Sequence, residues 1–134
     1  MNQIYSVEVT ITAPVKQTEI KDRVIEAITA IFPEADIETK SDRIVAQTHS
    51  VNHFSELLTE QQIVDTARDI LFANIRNQTI SFDLKKQAAY RGIVNFAVGN
   101  PAELGDIHVE ITINESDPDE FIDQIAPPTE TEER

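Results

Sequence analysis

Two runs of strict apolar and polar alternation, far apart in the chain, constrain its fold more than any other feature. Between Ile4 and Ile11, Tyr5, Val7, Val9 and Ile11 fall on one side and Ser6, Glu8 and Thr10 on the other. From Ile107 to Ile113 the same period groups Ile107, Val109, Ile111 and Ile113. A period of two belongs to a strand with one face buried and the other in water. The sheet they build therefore needs a cover on one face only, and the segment between them must supply it.

That segment contains two stretches with helical spacing. Thr18 is placed to cap a helix whose apolar positions are Ile20, Val24, Ala27, Ile28, Ile31 and Phe32, stopped by Pro33. Ala35 to Thr39 and Ile44 to Thr48 read as a hairpin around Ser41 and Asp42. Ser50 to Leu58 reads as a short helical turn or loop. Thr59-Glu60-Gln61-Gln62 then matches a capping box, which predicts a long helix burying Ile63, Ala67, Ile70, Leu71 and Ile75. Thr79 to Leu84 and Ile93 to Val98 read as paired strands with residues 85–91 at the tip, and Gly92 supplies a backbone angle that other residues resist. Asn100, Pro101 and Gly105 mark a turn before the strand at Ile107. Asp117-Pro118 begins a short helix with proline at its first position. The expected fold class is α+β: a mostly antiparallel sheet, order of elements β-α-β-β-α-β-β-β, with the two main helices on one face. Residues 1–114 form the domain, 115–126 a short terminal helix and 127–134 a disordered acidic tail.

Charge narrows function more than fold. The 134 residues carry a net charge of −13, with acids on nearly every predicted solvent face. Such a surface suits a halophilic cytoplasm, where the Debye length falls to about 3 Å and self-repulsion nearly vanishes. With no cysteine, disulfides, thiolate catalysis and sulfur-bound metals are excluded. No apolar run approaches a membrane span and no secretion-signal pattern appears, so a cytoplasmic location is expected.

Chemistry is sparse. Three scattered glycines exclude a phosphate-cradling loop and a dinucleotide fingerprint, and no cofactor is expected. His49, His53 and Glu56 offer metal-type donors only on one continuous helix; Phe54, Leu57 and Leu58 read better as a core stripe that leaves the histidines in solvent. No metal or catalytic residue is assigned, and His108 falls on the exposed side of its strand. Positive charge collects in one region only. Between Gln61 and Val98, Arg68, Arg76, Lys85, Lys86 and Arg91 stand against Asp65, Asp69 and Asp83, a balance of +2, so the remainder carries −13 − 2 = −15. Three cations and an aromatic at a strand-to-strand tip are what loop and single-strand RNA binders use to clamp phosphates and stack a base.

The runs Gln62-Ile63-Val64-Asp65-Thr66-Ala67-Arg68, Lys86-Gln87-Ala88-Ala89 and Val94-Asn95-Phe96, with Phe82 and Gly92, resemble an archaeal family of small uncharacterised proteins described as predicted exosome-associated RNA-binding subunits. The Ile31-Phe32-Pro33 helix end and the strand from Gly105 to Ile111 fit as well, so the resemblance covers about residues 4–113. It implies a fold similar to the ribosomal protein that holds five-S RNA, likened to a double-stranded-RNA-binding domain. Where family members commonly carry Asn before the Lys-Gln-Ala-Ala run, this chain has Lys85, an added charge.

Together these readings predict a non-enzymatic RNA-binding or RNA-processing accessory protein. Arg68, Lys85, Lys86 and Arg91 would contact phosphates and Tyr90 a base. The rival expectation is an assembly module, a homodimer joined through an exposed sheet face or edge, without nucleic acid. A hydrolase with a site built from scattered polar residues ranks below both.

Overall fold

A computed structural model describes residues 7–99 and 105–128. Six strands form one antiparallel sheet: β1 (Val7–Pro14), β2 (Asp36–Thr39), β3 (Arg43–Thr48), β4 (Ile75–Arg76), β5 (Thr79–Leu84) and β6 (Ile107–Ile113), in the spatial order β2-β3-β1-β6-β5-β4. The two alternating runs that dominate the sequence lie side by side at the centre, with Val9 opposite Ile111 and Ile11 opposite Val109. All of Val7, Val9, Ile11, Val109, Ile111 and Ile113 are buried, on the same side of the sheet. On the other side Glu8, Gln47, His108 and Glu110 face solvent.

Helices α1 (Lys21–Ile31), α2 (Asn52–Glu60), α3 (Val64–Ala73), α4 (Lys86–Ala89) and α5 (Pro118–Ile125) contribute to one apolar core with the buried sheet face. A file of phenylalanines runs through it: Phe32, Phe54, Phe82 and Phe96, with successive ring centroids 5.6, 5.5 and 5.6 Å apart. The expected α+β class with its antiparallel sheet and helices on one face is the observed one. Pro14 closes β1, and Gly105, at φ 85°, lies so near that a Cβ there would collide with Pro14 Cγ.

Four local expectations change. First, α1 begins at Lys21, not after Thr18; its capping position is held by Ile20, 64% exposed and without a side-chain cap. Second, the single long helix is two. α2 ends in a Schellman arrangement in which Gln62 takes φ 60°, its N–H donates to Thr59 O and the Ile63 N–H donates to Leu58 O. The capping-box residues thus close α2 instead of opening a helix, and α3 starts at Val64. Third, Ile93 to Val98 forms no strand; only Leu84 and Phe96 make a bridge. Its start is drawn away from the sheet: Ile93 N–H donates to Ala88 O, and the Gln61 side chain accepts the Val94 N–H at 3.0 Å and donates to Gly92 O at 2.9 Å, so only Asn95 O and the Ala97 N–H bond to the end of β5, at Lys85 N–H and Asp83 O. β5 pairs instead with β6 and, at its start, with β4.

The fourth change concerns the chain after residue 114. α5 buries Phe121, Ile122 and Ile125 in the common core and is held by the Ser55 hydroxyl, which donates to Ile125 O at 2.7 Å. It is an integral part of the domain. The expected tail continues through residues 129–134, which lie outside the described residues, as do residues 100–104 of the expected turn and residues 1–6.

Candidate nucleic-acid interface

The stretch expected to be a strand-to-strand tip folds into α4, a single helical turn, and this decides where each cation points. Lys85 is still in extended backbone at ψ 125° and Lys86 is the first helical residue, so the two adjacent side chains part company. Lys85, the residue before the turn, is exposed. Lys86 is 3% exposed: its Nζ donates to Pro14 O at 2.7 Å and to both Glu19 carboxylate oxygens at 3.1 Å. Glu19 is fixed in turn by accepting the Lys16 backbone N–H at 2.9 Å. Lys86 is therefore inaccessible to a phosphate. Its ion pair ties α4 to the loop that leads into α1.

Across that tie, α1 adds a residue that the local charge count had left out. The Arg23 guanidinium sits 5.4 Å from the Tyr90 ring centroid, a cation–π contact. Arg23, Lys85, Tyr90 and Arg91, with Gln87, Ala88 and Asn95, line an open depression of about 490 Å³. Its charged lining residues are all basic and all exposed. Arg23 is itself in a long, exposed ion pair, its Nε 3.8 Å from Glu26 Oε1 at the rim, which a phosphate must compete with. Tyr90 is half-buried; burial, reinforced by Glu19 and Glu26 and opposed by Arg23, raises its hydroxyl above the usual phenol value. The phenol thus stays protonated and able to donate. Arg23 covers one face of the ring, and that face is not open to a base.

Arg68 is placed elsewhere. From α3 its Nη1 donates to Asp123 Oδ1 and to Ala126 O, both at 2.8 Å, while the guanidinium lies 5.1 Å from the Phe72 ring centroid. It fastens α5, so of the expected phosphate contacts only Lys85 and Arg91 remain together. Arg68→Ala is expected to speed amide exchange in α5 and to leave RNA affinity unchanged. A drop in affinity with α5 still protected would return Arg68 to the binding surface.

Nothing local in the sequence singles out Arg23. It is an ordinary exposed helix position until the fold brings α1 against α4. Of the three histidines, His49 Nδ1 lies 2.9 Å from Val7 O, His53 pairs with Glu56 at 3.6 Å, and His108 Nδ1 meets Asp83 at 2.7 Å on the outer sheet face. Among the described residues no group of three His, Asp or Glu side chains could hold a metal ion, and no helix is long and apolar enough to cross a membrane.

A protein-family model described as RNA binding matches residues 8–113. The chain is 36% identical over 122 residues to a UPF0201 protein of Methanothermobacter thermautotrophicus, covering 90% of this chain and 91% of that one. It is 35% identical over 125 residues to a UPF0200/UPF0201 protein of Archaeoglobus fulgidus, covering 92% of this chain but only 38% of that longer relative. The crystal structure of a UPF0201 protein from Methanococcus jannaschii superposes with a TM-score of 0.85 at 39% identity, covering 92% of this chain and 96% of that one.

Proposed function

We propose, from the premise that this chain belongs to the UPF0201 family and to the family described as RNA binding, that it is a non-enzymatic RNA-binding protein gripping the sugar–phosphate backbone at the depression between α1 and α4. The observation that carries this reading is a contrast of charge. In a molecule of net charge −13, the depression's charged lining side chains, Arg23, Lys85 and Arg91, are all cationic. Each can donate charge-assisted hydrogen bonds to phosphate oxygens. The Tyr90 hydroxyl and the Gln87 and Asn95 amides add neutral donors and acceptors for sugar or base edges. Lys86 and Glu19 act behind them as positioning residues, setting α4 against α1.

A small cationic site also suits the role inferred for the molecule, an accessory of an RNA-processing assembly such as the exosome in a cytoplasm of high salt. Affinity falls with salt in proportion to the number of phosphates neutralised. A binder that neutralises one or two phosphates, at a slope of about −0.7 each on single strands, keeps more of its affinity as salt rises than one that neutralises ten. The outer sheet face, which presents Glu8, Glu110 and Asp83, repels phosphate and is assigned no part in RNA contact.

The reading is tested by fluorescence anisotropy with a labelled single-stranded RNA across a series of KCl concentrations. Saturable binding is expected, with log Kd rising linearly with log salt. Absence of binding at the lowest salt would overturn the proposal.

A further inference from the structure

Building on the RNA-binding reading above, we propose that the depression takes the end of an RNA strand bearing a phosphate monoester, in preference to the interior of a strand or a duplex. Size is the first reason. The lining is confined to Arg23 and a few residues between 85 and 95, too small a footprint for a helix. Double-stranded RNA is held through backbone contacts spread over about 16 base pairs.

Charge is the second reason. Beyond the depression, Lys40, Arg43 and Arg68 are already paired with Glu38, Asp42 and Asp123 at 2.9, 3.0 and 2.8 Å. A strand continuing over α1 meets two acids, Asp22 and Glu26, both exposed, against one further cation, Lys21. An extended polyanion therefore gains at one point and is repelled at the next. A terminal monoester concentrates its attraction instead, with a charge of about −1.5 to −2 and three acceptor oxygens against a single charge on an internal diester.

Geometry gives the third. With Arg23 lying over Tyr90, the aromatic serves to orient a guanidinium more than to receive a base on that face. Arg23 and Arg91 offer planar donor forks that match phosphate oxygens, and Lys85 adds a mobile point charge. The protonated phenol is one more donor.

The test compares short, internally labelled RNAs of one sequence by anisotropy at fixed salt: 5′-phosphorylated, 3′-phosphorylated, hydroxyl at both ends, and a blunt hydroxyl duplex. One phosphorylated strand is expected to bind about tenfold tighter than the hydroxyl strand, and whichever end it is names the polarity. The duplex should bind no tighter than the hydroxyl strand. The preference should vanish in the Lys85→Gln/Arg91→Gln variant, whose melting temperature should match the parent because both side chains are exposed. Equal affinity for phosphorylated and hydroxyl strands, or a preference that survives in the variant, overturns the inference. If all four bind alike with salt dependence, RNA binding stands and end recognition falls; if none binds, both fall.

Discussion

Replacing Glu19 with alanine is expected to lower the free energy of unfolding by about 3–5 kcal/mol, the usual cost of stranding one partner of a buried ion pair. The Lys86 and Glu19 side chains are 2% and 6% exposed, so the ammonium left behind has no water to replace the carboxylate. Pro14 O is among the partners that remain to Lys86, and a carbonyl dipole does not neutralise a full charge. Against a typical stability of about 5–15 kcal/mol this is a large fraction. The double variant Glu19→Leu/Lys86→Met removes both charges and should recover most of the loss, since well-packed apolar replacements of buried pairs are often near neutral. Urea denaturation of the two variants checks this. A single variant within about 1 kcal/mol of the parent would mean that the loop before α1 opens readily to water.

Much of the fold was legible because the strongest signals were periodic. The alternation at Val7 to Ile11 and Ile107 to Ile113 identified the two central strands, although it could not say that they pair. The Phe54, Leu57 and Leu58 stripe identified a core-facing segment, and Pro118 marked the start of α5. What sequence could not show depended on contacts made far along the chain. Thr59 and Gln62 look like the start of a helix, and only the left-handed φ of Gln62 reveals the end of one. Ile93 to Val98 has strand composition, yet the Gln61 side chain, more than thirty residues upstream, holds its start at Val94 and leaves only the stretch around Phe96 to meet β5. The site followed the same rule. Lys85, Tyr90 and Arg91 were found because they are neighbours in sequence. Lys86 and Arg68 carry the same charge type but meet Glu19 and Asp123, partners 67 and 55 residues away. Arg23 entered only through packing of α1 on α4.

Replacing Arg23, Lys85 and Arg91 together with alanine should weaken RNA binding by about a hundredfold, as expected when a few charge-assisted contacts worth about 1.5–3 kcal/mol each are lost from a solvent-exposed site that discounts them. The loss should be similar for unrelated RNA sequences, because phosphate contacts carry no sequence information. All three positions are exposed, so the melting temperature should change little. A loss confined to one sequence would shift the recognition to bases, and hence to Gln87, Asn95 or the free side of Tyr90.

The salt dependence of that triple variant, measured beside the parent on one single-stranded RNA, bears most directly on the claim that the depression between α1 and α4 is a phosphate site. One terminal phosphate carrying about −1.5 to −2 charges predicts a slope of log affinity against log salt of about −1 to −1.4 for the parent and close to zero for the variant. Equal slopes in the two proteins would contradict the claim and place any RNA contact elsewhere on the surface.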